Sequence, residues 1–314
     1  MPTTVVMPAF NAERYIAEAI ESVLAQTLED FELIVVNDGS RDRTREIAES
    51  YALRDSRVRV VSHENLGPGP TLNRGIALSS SEWVVLMHAD DVMMPNRIER
   101  QLAFVAEHPE LAVSSCWVKH IDFQGKVIAQ DSSRHLTCQS SVQALYEANE
   151  VIAISHSGTI LRKSAVEAVG GYRAQFRVNE DADLWNRLLE QGYRLLVQPE
   201  YLLKYRIHGG SASISKNRLC WRQLRWLKNC MVRRRRGESE LTWDEFLVMR
   251  KTLPWYIRLN QERKDLAKIF HKAAVFEFAQ RKYFLVVPNV LAATLLQPSF
   301  TIPQIANKLL FRRR

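Results

Sequence analysis

In Phe31-Glu32-Leu33-Ile34-Val35-Val36-Asn37-Asp38-Gly39-Ser40, four apolar residues in a row, three of them β-branched, end in a polar turn. An unbroken apolar run of this length reads as a strand buried on both faces, as in a parallel sheet. Thr4 to Met7, Val58 to Val61 and Trp83 to Met87 repeat the pattern. The segments between them are helix-sized. Glu13 to Gln26 puts Ile16, Ile20, Val23 and Leu24 on one face, Arg43 to Leu53 follows the Gly-Ser turn, and Gly69 to Leu78 precedes the fourth strand. Strand alternating with helix requires right-handed crossovers and an α/β fold with a mostly parallel, Rossmann-like sheet.

Such sheets bind ligands beyond the carboxyl ends of their strands. The segments there are Pro8-Ala9-Phe10-Asn11, Asn37-Asp38-Gly39-Ser40, His63-Glu64-Asn65-Leu66-Gly67 and His88-Ala89-Asp90-Asp91. Asp90 and Asp91 would repel one another unless neutralised, and hard oxygen ligands suit Mg²⁺ or Mn²⁺ bridging a diphosphate. Acids before Pro95 also suit a helix N-terminus, and spacing leaves both readings open. Asp38 is placed either to accept the imide N–H of a uracil or thymine base or to close an Asx turn. Asn179-Glu180-Asp181-Ala182-Asp183-Leu184-Trp185 opens a helix, where acids serve as caps or, facing the sheet's edge, as a general base.

From about Ala112 the pattern loosens, with a hairpin expected at Asp122-Phe123-Gln124-Gly125-Lys126. After Ser215 strand signals stop, so the expected organisation is a catalytic domain over 1–215 and a basic, mainly helical region over 216–314. Residues 216–314 carry 22 Lys and Arg against 7 Asp and Glu, a net +15, while the residues before them carry −7. That polarity fits an acidic head docked by its tail to an anionic surface, or a solvated basic helix. Composition, 46% hydrophobic and 25% charged, is that of a folded chain rather than a disordered one. Four scattered cysteines give neither zinc spacing nor a disulfide framework. The N-terminus shows no leader pattern, so the expected location is cytoplasmic, with peripheral attachment to the inner membrane face as an extension.

Seven ordered motifs carry a resemblance: Met7-Pro8-Ala9-Phe10-Asn11, the 31–40 stretch, Asn73-Arg74-Gly75, Ala89-Asp90-Asp91 with Pro95, Val169-Gly170-Gly171-Tyr172, Glu180 to Trp185, and Tyr205-Arg206-Ile207-His208. From about Thr3 to Ser213 the chain resembles family-2 glycosyltransferases of the GT-A fold. The resemblance implies a nucleotide-sugar donor, a glycan, lipid-linked or other hydroxyl acceptor, and Mn²⁺ or Mg²⁺. It implies that Pro8, Phe10, Asn11, Asp38, Asn73, Arg74 and Asp90 bind the donor: Phe10 flanks the base, Asp38 reads its imide and Asp90 approaches the ribose. Asp91 would hold the metal, Asp181 would be the catalytic base supported by Glu180, and His208 would be a further metal or phosphate contact or else a surface histidine. It further implies inversion at the anomeric carbon and transfer of a single sugar, from UDP or dTDP, in cell-surface polysaccharide or glycolipid synthesis. Asn37 and His88 depart from the aspartates common at those positions, which loosens the donor detail.

The tail carries Arg233-Arg234-Arg235-Arg236, Arg312-Arg313-Arg314 and an uncharged run from Tyr283 to Asn307. Pro288, Pro298 and Pro303 weigh against a membrane span, which leaves an interfacial segment or a packed helix; basic flanks favour the interface. Arg222-Gln223-Leu224-Arg225-Trp226 matches a motif of processive synthases by chance in an Arg- and Trp-rich helix. The absence of a Gly-rich loop after the first strand weighs against nucleotidyltransferase and dinucleotide dehydrogenase chemistry. The rivals left are a nucleic-acid-binding protein using the basic tail and an inactive scaffold; no nucleic-acid partner is expected, because it would leave the acidic edge without a use.

Overall fold

Strand β2 (Phe31–Asp38) lies in register between two parallel neighbours, β1 (Thr3–Ala9) and β3 (Val58–His63), and β4 (Trp83–Leu86) pairs in parallel with the other edge of β1. The computed structural model describes residues 3–209 and 217–310, so the boundary expected at Ser215 and the terminal Arg312-Arg313-Arg314 lie outside the described residues. Helices α1 (Ile16–Leu24), α2 (Thr44–Ala52) and α3 (Pro68–Leu78) make the crossovers. The alternating faces of the strands explain the two-sided burial. Val5, Met7, Leu33 and Val85 pack with Ile16, Ile20 and Val23, while Val6, Val84 and Leu86 pack with Leu72 and Ile76.

Chain order β1, β2, β3 runs outward on one side and β4 then returns to the other side of β1, so the sheet's direction of growth reverses between β1 and β4. The carboxyl ends there, 8–11 and 88–91, flank the crevice where such sheets bind ligands. The remaining strands are β5 (Val92–Met93), β6 (Leu111–Ile121), β7 (Val127–Asp131), β8 (Ile160–Arg162) and β9 (Arg194–Arg206). They extend the sheet to the order β3-β2-β1-β4-β8-β6-β9-β5, with β7 on β6. This half is mixed: β8 is antiparallel to β4 and β6, and β5 to β9, while β6 and β9 are parallel. The expected hairpin is present, β6 turning into β7 through 122–126. Helices α4 (Arg97–Glu107), α5 (Gln139–Glu147), α6 (Lys163–Ala168) and α7 (Glu180–Glu190) complete this unit, which runs to Arg206.

The second unit comprises residues 207–314 and the turn 122–126; among its described residues it is helical. Its helices are α8 (Asn217–Arg235), α9 (Trp243–Thr252), α10 (Trp255–Ala279), α11 (Tyr283–Leu296) and α12 (Pro298–Leu310). Trp226 and Arg225 of the synthase-like motif are spent on this packing. The Trp226 indole is buried and donates to the Leu241 carbonyl at 2.7 Å, and the Arg225 guanidinium bonds Asp265. Thr242 and Glu245 form a capping box that starts α9. Among the described residues no helix is long and apolar enough to cross a membrane.

Candidate active site

Asp38 ends β2, and Gly39 lets the chain turn there with φ of +66°. A Cβ on Gly39 would lie 2.6 Å from the Asn65 backbone nitrogen, so only glycine admits the 64–67 loop this close. That loop wraps the Asp38 carboxylate. Oδ1 accepts the Leu66 N–H at 2.7 Å, and Oδ2 accepts the Gly67 N–H at 3.1 Å and the Asn65 amide at 3.2 Å. Across the crevice mouth Asn11, at φ 49°, accepts the Arg41 N–H on Oδ1 at 2.9 Å and donates its own N–H to Ser40 Oγ at 3.0 Å. These bonds stitch the ends of β1 and β2 together. Pro8 is half-buried there, and Phe10 leaves 50% of its surface exposed at the carboxyl edge, where an aromatic side chain costs solvation unless something covers it.

At the end of β4 the structure gathers His88, Asp90 and Asp91, whose ligand atoms lie within 4.8 Å of one another. Asp91 is only 1% exposed, and its Oδ1 accepts the Arg206 N–H at 2.8 Å. Its Oδ2 is sealed from solvent with no formed hydrogen bond. Burial and the adjacent Asp90 push the Asp91 carboxyl well above the usual range, against the pull of the Ser157 hydroxyl and of Arg206. A buried carboxylate oxygen lacking a donor beside a second acid and an imidazole is a donor set that fits a divalent cation. Arg206 itself is buried. Its Nε donates to the Asp90 carbonyl at 2.8 Å, its Nη2 reaches Glu18 at 2.6 Å, and its guanidinium stacks over Tyr15.

The third group is set by Asn73 and Tyr172. The Asn73 carboxamide pairs with the Tyr172 backbone in both directions, each at 2.8 Å, and Gly171 at φ +68° is required because a Cβ would meet Asn73 Oδ1 at 2.6 Å. This fixes the segment leading to α7. Asp183 is fully buried and held by the guanidinium groups of Arg173 and Arg187. Asp181 keeps part of its surface accessible, and burial lifts its carboxyl to about 6, against the helix N–H groups of Asp181 and Ala182. A carboxylate with that value accepts a proton far better than an ordinary one near neutral pH. The Tyr172 hydroxyl, itself raised by burial and then by Asp181 and Glu180, sits 2.8 Å from His156 Nε2.

The structure thus brings Asp90 and Asp91 into one cluster, Asp38 into a bonded loop, and Asp181 with Glu180 to the first turn of α7. Asn73 spends its amide on backbone, and Arg74 is exposed. His208 falls in the second unit and is not one of the three clustered groups. Sequence reasoning passed over His88, His156, Arg97 and Arg206. Arg97 is buried beneath β4, bonding the Leu86 and Thr159 carbonyls at 2.9 and 3.2 Å. Only Arg206, inside a quoted motif, and His88, as the departure from aspartate, carried a signal.

Residues 4–170 match the family described as Glycosyl transferase family 2. The glycosyltransferase EpsE of Bacillus subtilis is 31% identical over 207 residues, 65% of this chain and 72% of that protein. A Methanocaldococcus jannaschii glycosyltransferase is 26% identical over 207 residues, 65% of this chain and 70% of its own. Among solved structures, S. aureus TarS 1-349 in complex with UDP-GlcNAc superposes with a TM-score of 0.56 at 17% identity, covering 95% of this chain and 92% of that one. The mannosyltransferase PcManGT from Pyrobaculum calidifontis, in complex with GDP-Man and Mn²⁺, gives 0.54 at 16% identity over 99% and 80%. These two likenesses establish the GT-A-like fold.

Proposed function

The chain belongs to glycosyl transferase family 2, an enzyme family that moves a sugar from a nucleotide-sugar donor to an acceptor hydroxyl, and on that premise we propose that it does so by a single inverting displacement with Asp181 as the base. The observation that carries this is the lifted Asp181 carboxyl, beside a half-buried Glu180 and an Asp183 whose oxygens are taken by two arginines. Asp181 takes the proton of the acceptor hydroxyl as that oxygen attacks the anomeric carbon. Glu180 supports it from the same turn. Asp183, tied to two arginines, holds the helix in place.

Pro8, Phe10, Asn11 and Asp38 would hold the base, with Phe10 covering its ring face. Asp38 has most of its lone pairs committed to the 65–67 loop, so reading a base imide uses the remaining one or displaces the Asn65 amide. UDP or dTDP follows from that imide. Asp90 and Asp91 would hold Mn²⁺ or Mg²⁺, with Asp90 also approaching the ribose. When bound, the ion offsets negative charge on the departing diphosphate. Arg206 keeps both acids in place through the Asp91 carboxylate and the Asp90 carbonyl.

The helical unit supports an anionic membrane surface as the second partner and a lipid-linked or envelope glycan as the acceptor. Tyr283, Val287, Leu291 and Leu295 recur every four residues on α11, with Phe284 beside them, and are between 57% and 84% exposed. Arg281 and Lys282 flank this uncharged face. An apolar helix face with basic neighbours suits a lipid interface; a nucleic-acid backbone would want charge along the face itself. The test of the reaction is a panel of UDP-, dTDP- and GDP-sugars with Mn²⁺ and simple glycosides. Release of one diphosphate with an anomerically inverted product is expected; a retained configuration would refute Asp181 as the base in a single displacement.

A further inference from the structure

His88 stands at the end of β4, where an oxygen ligand would be ordinary, and it is fixed more firmly than a solvent-facing histidine needs to be. Its backbone N–H donates to Ser157 Oγ at 3.0 Å. Its ring Nε2 lies 3.3 Å from His156 Nδ1, with the two rings edge to face at 84°. His156 is 8% exposed, packs edge to face on Trp185, and passes its Nε2 to the Tyr172 hydroxyl at 2.8 Å. Both neighbours of His88 therefore come from one short turn, His156–Gly158, whose Ser157 hydroxyl also acts on Asp91.

We propose that His88 is the third ligand of the metal site, binding through Nδ1, and that His156 and Tyr172 set its tautomer and orientation. This rests on the reading of Asp90 and Asp91 as a metal site, for which the sealed and donorless Asp91 Oδ2 is the independent sign. His156 occupies Nε2, which leaves Nδ1 for the ion. Binding through Nδ1 puts the ring proton on Nε2, so His88 donates to His156 Nδ1, and His156 in turn donates from Nε2 to Tyr172 Oη. The whole line then has one consistent direction, the arrangement by which histidine ligands are normally held by a second group. Its far end lies near Asp181 and Glu180, whose charges act on the Tyr172 hydroxyl.

The consequence is selectivity. Mg²⁺ demands oxygen ligands in a near-ideal octahedron, whereas an imidazole nitrogen is accepted by first-row transition ions. The centre should prefer Mn²⁺ over Mg²⁺ by more than an all-oxygen site does.

The experiment uses the full chain labelled with ¹⁵N-histidine and loaded with Mn²⁺ alone, read by pulsed electron spin echo and by competition with Mg²⁺. A ¹⁵N coupling on bound Mn²⁺ that disappears in His88→Asp, together with a roughly tenfold smaller preference for Mn²⁺ over Mg²⁺ in that variant, is expected. His156→Phe should weaken Mn²⁺ binding about tenfold while retaining the native melting transition; Tyr172→Phe, which keeps the ring, serves if the first variant does not fold. Bound Mn²⁺ that is displaced by Asp91→Asn yet shows no histidine coupling would overturn the role of His88 and leave the acids as ligands. Mn²⁺ binding that ignores Asp90→Asn and Asp91→Asn, or no binding at all, would overturn the metal site and this proposal with it.

Discussion

One acid cluster follows β4 and another opens α7, and burial acts differently on the most buried acid of each. On α7, Asp183 is buried between two guanidinium groups, so its charge is neutralised in place. After β4, Asp91 is as deeply buried, but its Oδ1 takes the Arg206 backbone N–H, its Oδ2 forms no hydrogen bond, and the pull of the Ser157 hydroxyl and the Arg206 charge does not outweigh burial. Burial with arginines makes a strut. Burial beside a second acid, only partly offset by Arg206, leaves a carboxylate that wants a cation, and its carboxyl rises accordingly. Beside Asp183 in the first turn of α7, Asp181 is the acid that burial lifts, with no arginine among the causes of its shift.

The largest expected effect separates Asp181 from Asp183. Asp181→Asn should lower turnover by roughly 10²- to 10⁴-fold while donor affinity, read by calorimetry, stays near wild type. Because the folded value of about 6 lies above the unfolded value of 3.8, ionising Asp181 costs the folded protein stability as pH rises through that window, and the Asn variant escapes this cost. Its melting temperature at pH 7.5 should therefore equal or exceed that of wild type. Below about pH 6, kcat/KM of the wild type should fall about tenfold per unit as the base protonates. Turnover that persists at pH 4.5 would break the contrast.

Asp183→Asn comes next and acts on the fold. It takes the shared carboxylate from Arg173 and Arg187, and removing one partner of a buried ion pair costs about 3–5 kcal/mol, to be read from the urea midpoint at constant slope. An unchanged midpoint would put Asp183 back among the candidates for chemistry. The smallest effect lies in the helical unit. Phe284→Asp with Leu295→Asp should abolish flotation with anionic liposomes at low salt yet leave transfer to a soluble acceptor intact; equal flotation would remove the membrane from the account.

The parallel core was legible because buried strands such as Leu33 to Val36 carry uninterrupted apolar runs that end in polar turns. The antiparallel half was less so: β8 is three residues long and β5 two, too short to show a period. Among the candidate site residues, Asp38, Asp90, Asp91 and Asp181 stand in motifs and could be named. Their states could not be read, since adjacent acids look alike until the structure shows that Arg173 and Arg187 take Asp183 and that the β9 end takes Asp91. His156 is distant in sequence from every acid and reaches the cluster only through the turn that follows the β6–β7 excursion, so no local pattern could announce it.

The most direct test of the account is calorimetric titration of UDP, dTDP and GDP into the full chain with and without Mn²⁺, beside Asp91→Asn. One nucleotide should bind in a Mn²⁺-dependent manner and lose that dependence in the variant. Binding that is absent under every condition, or indifferent to both Mn²⁺ and Asp91, would contradict a metal-assisted nucleotide-sugar site at the end of β4.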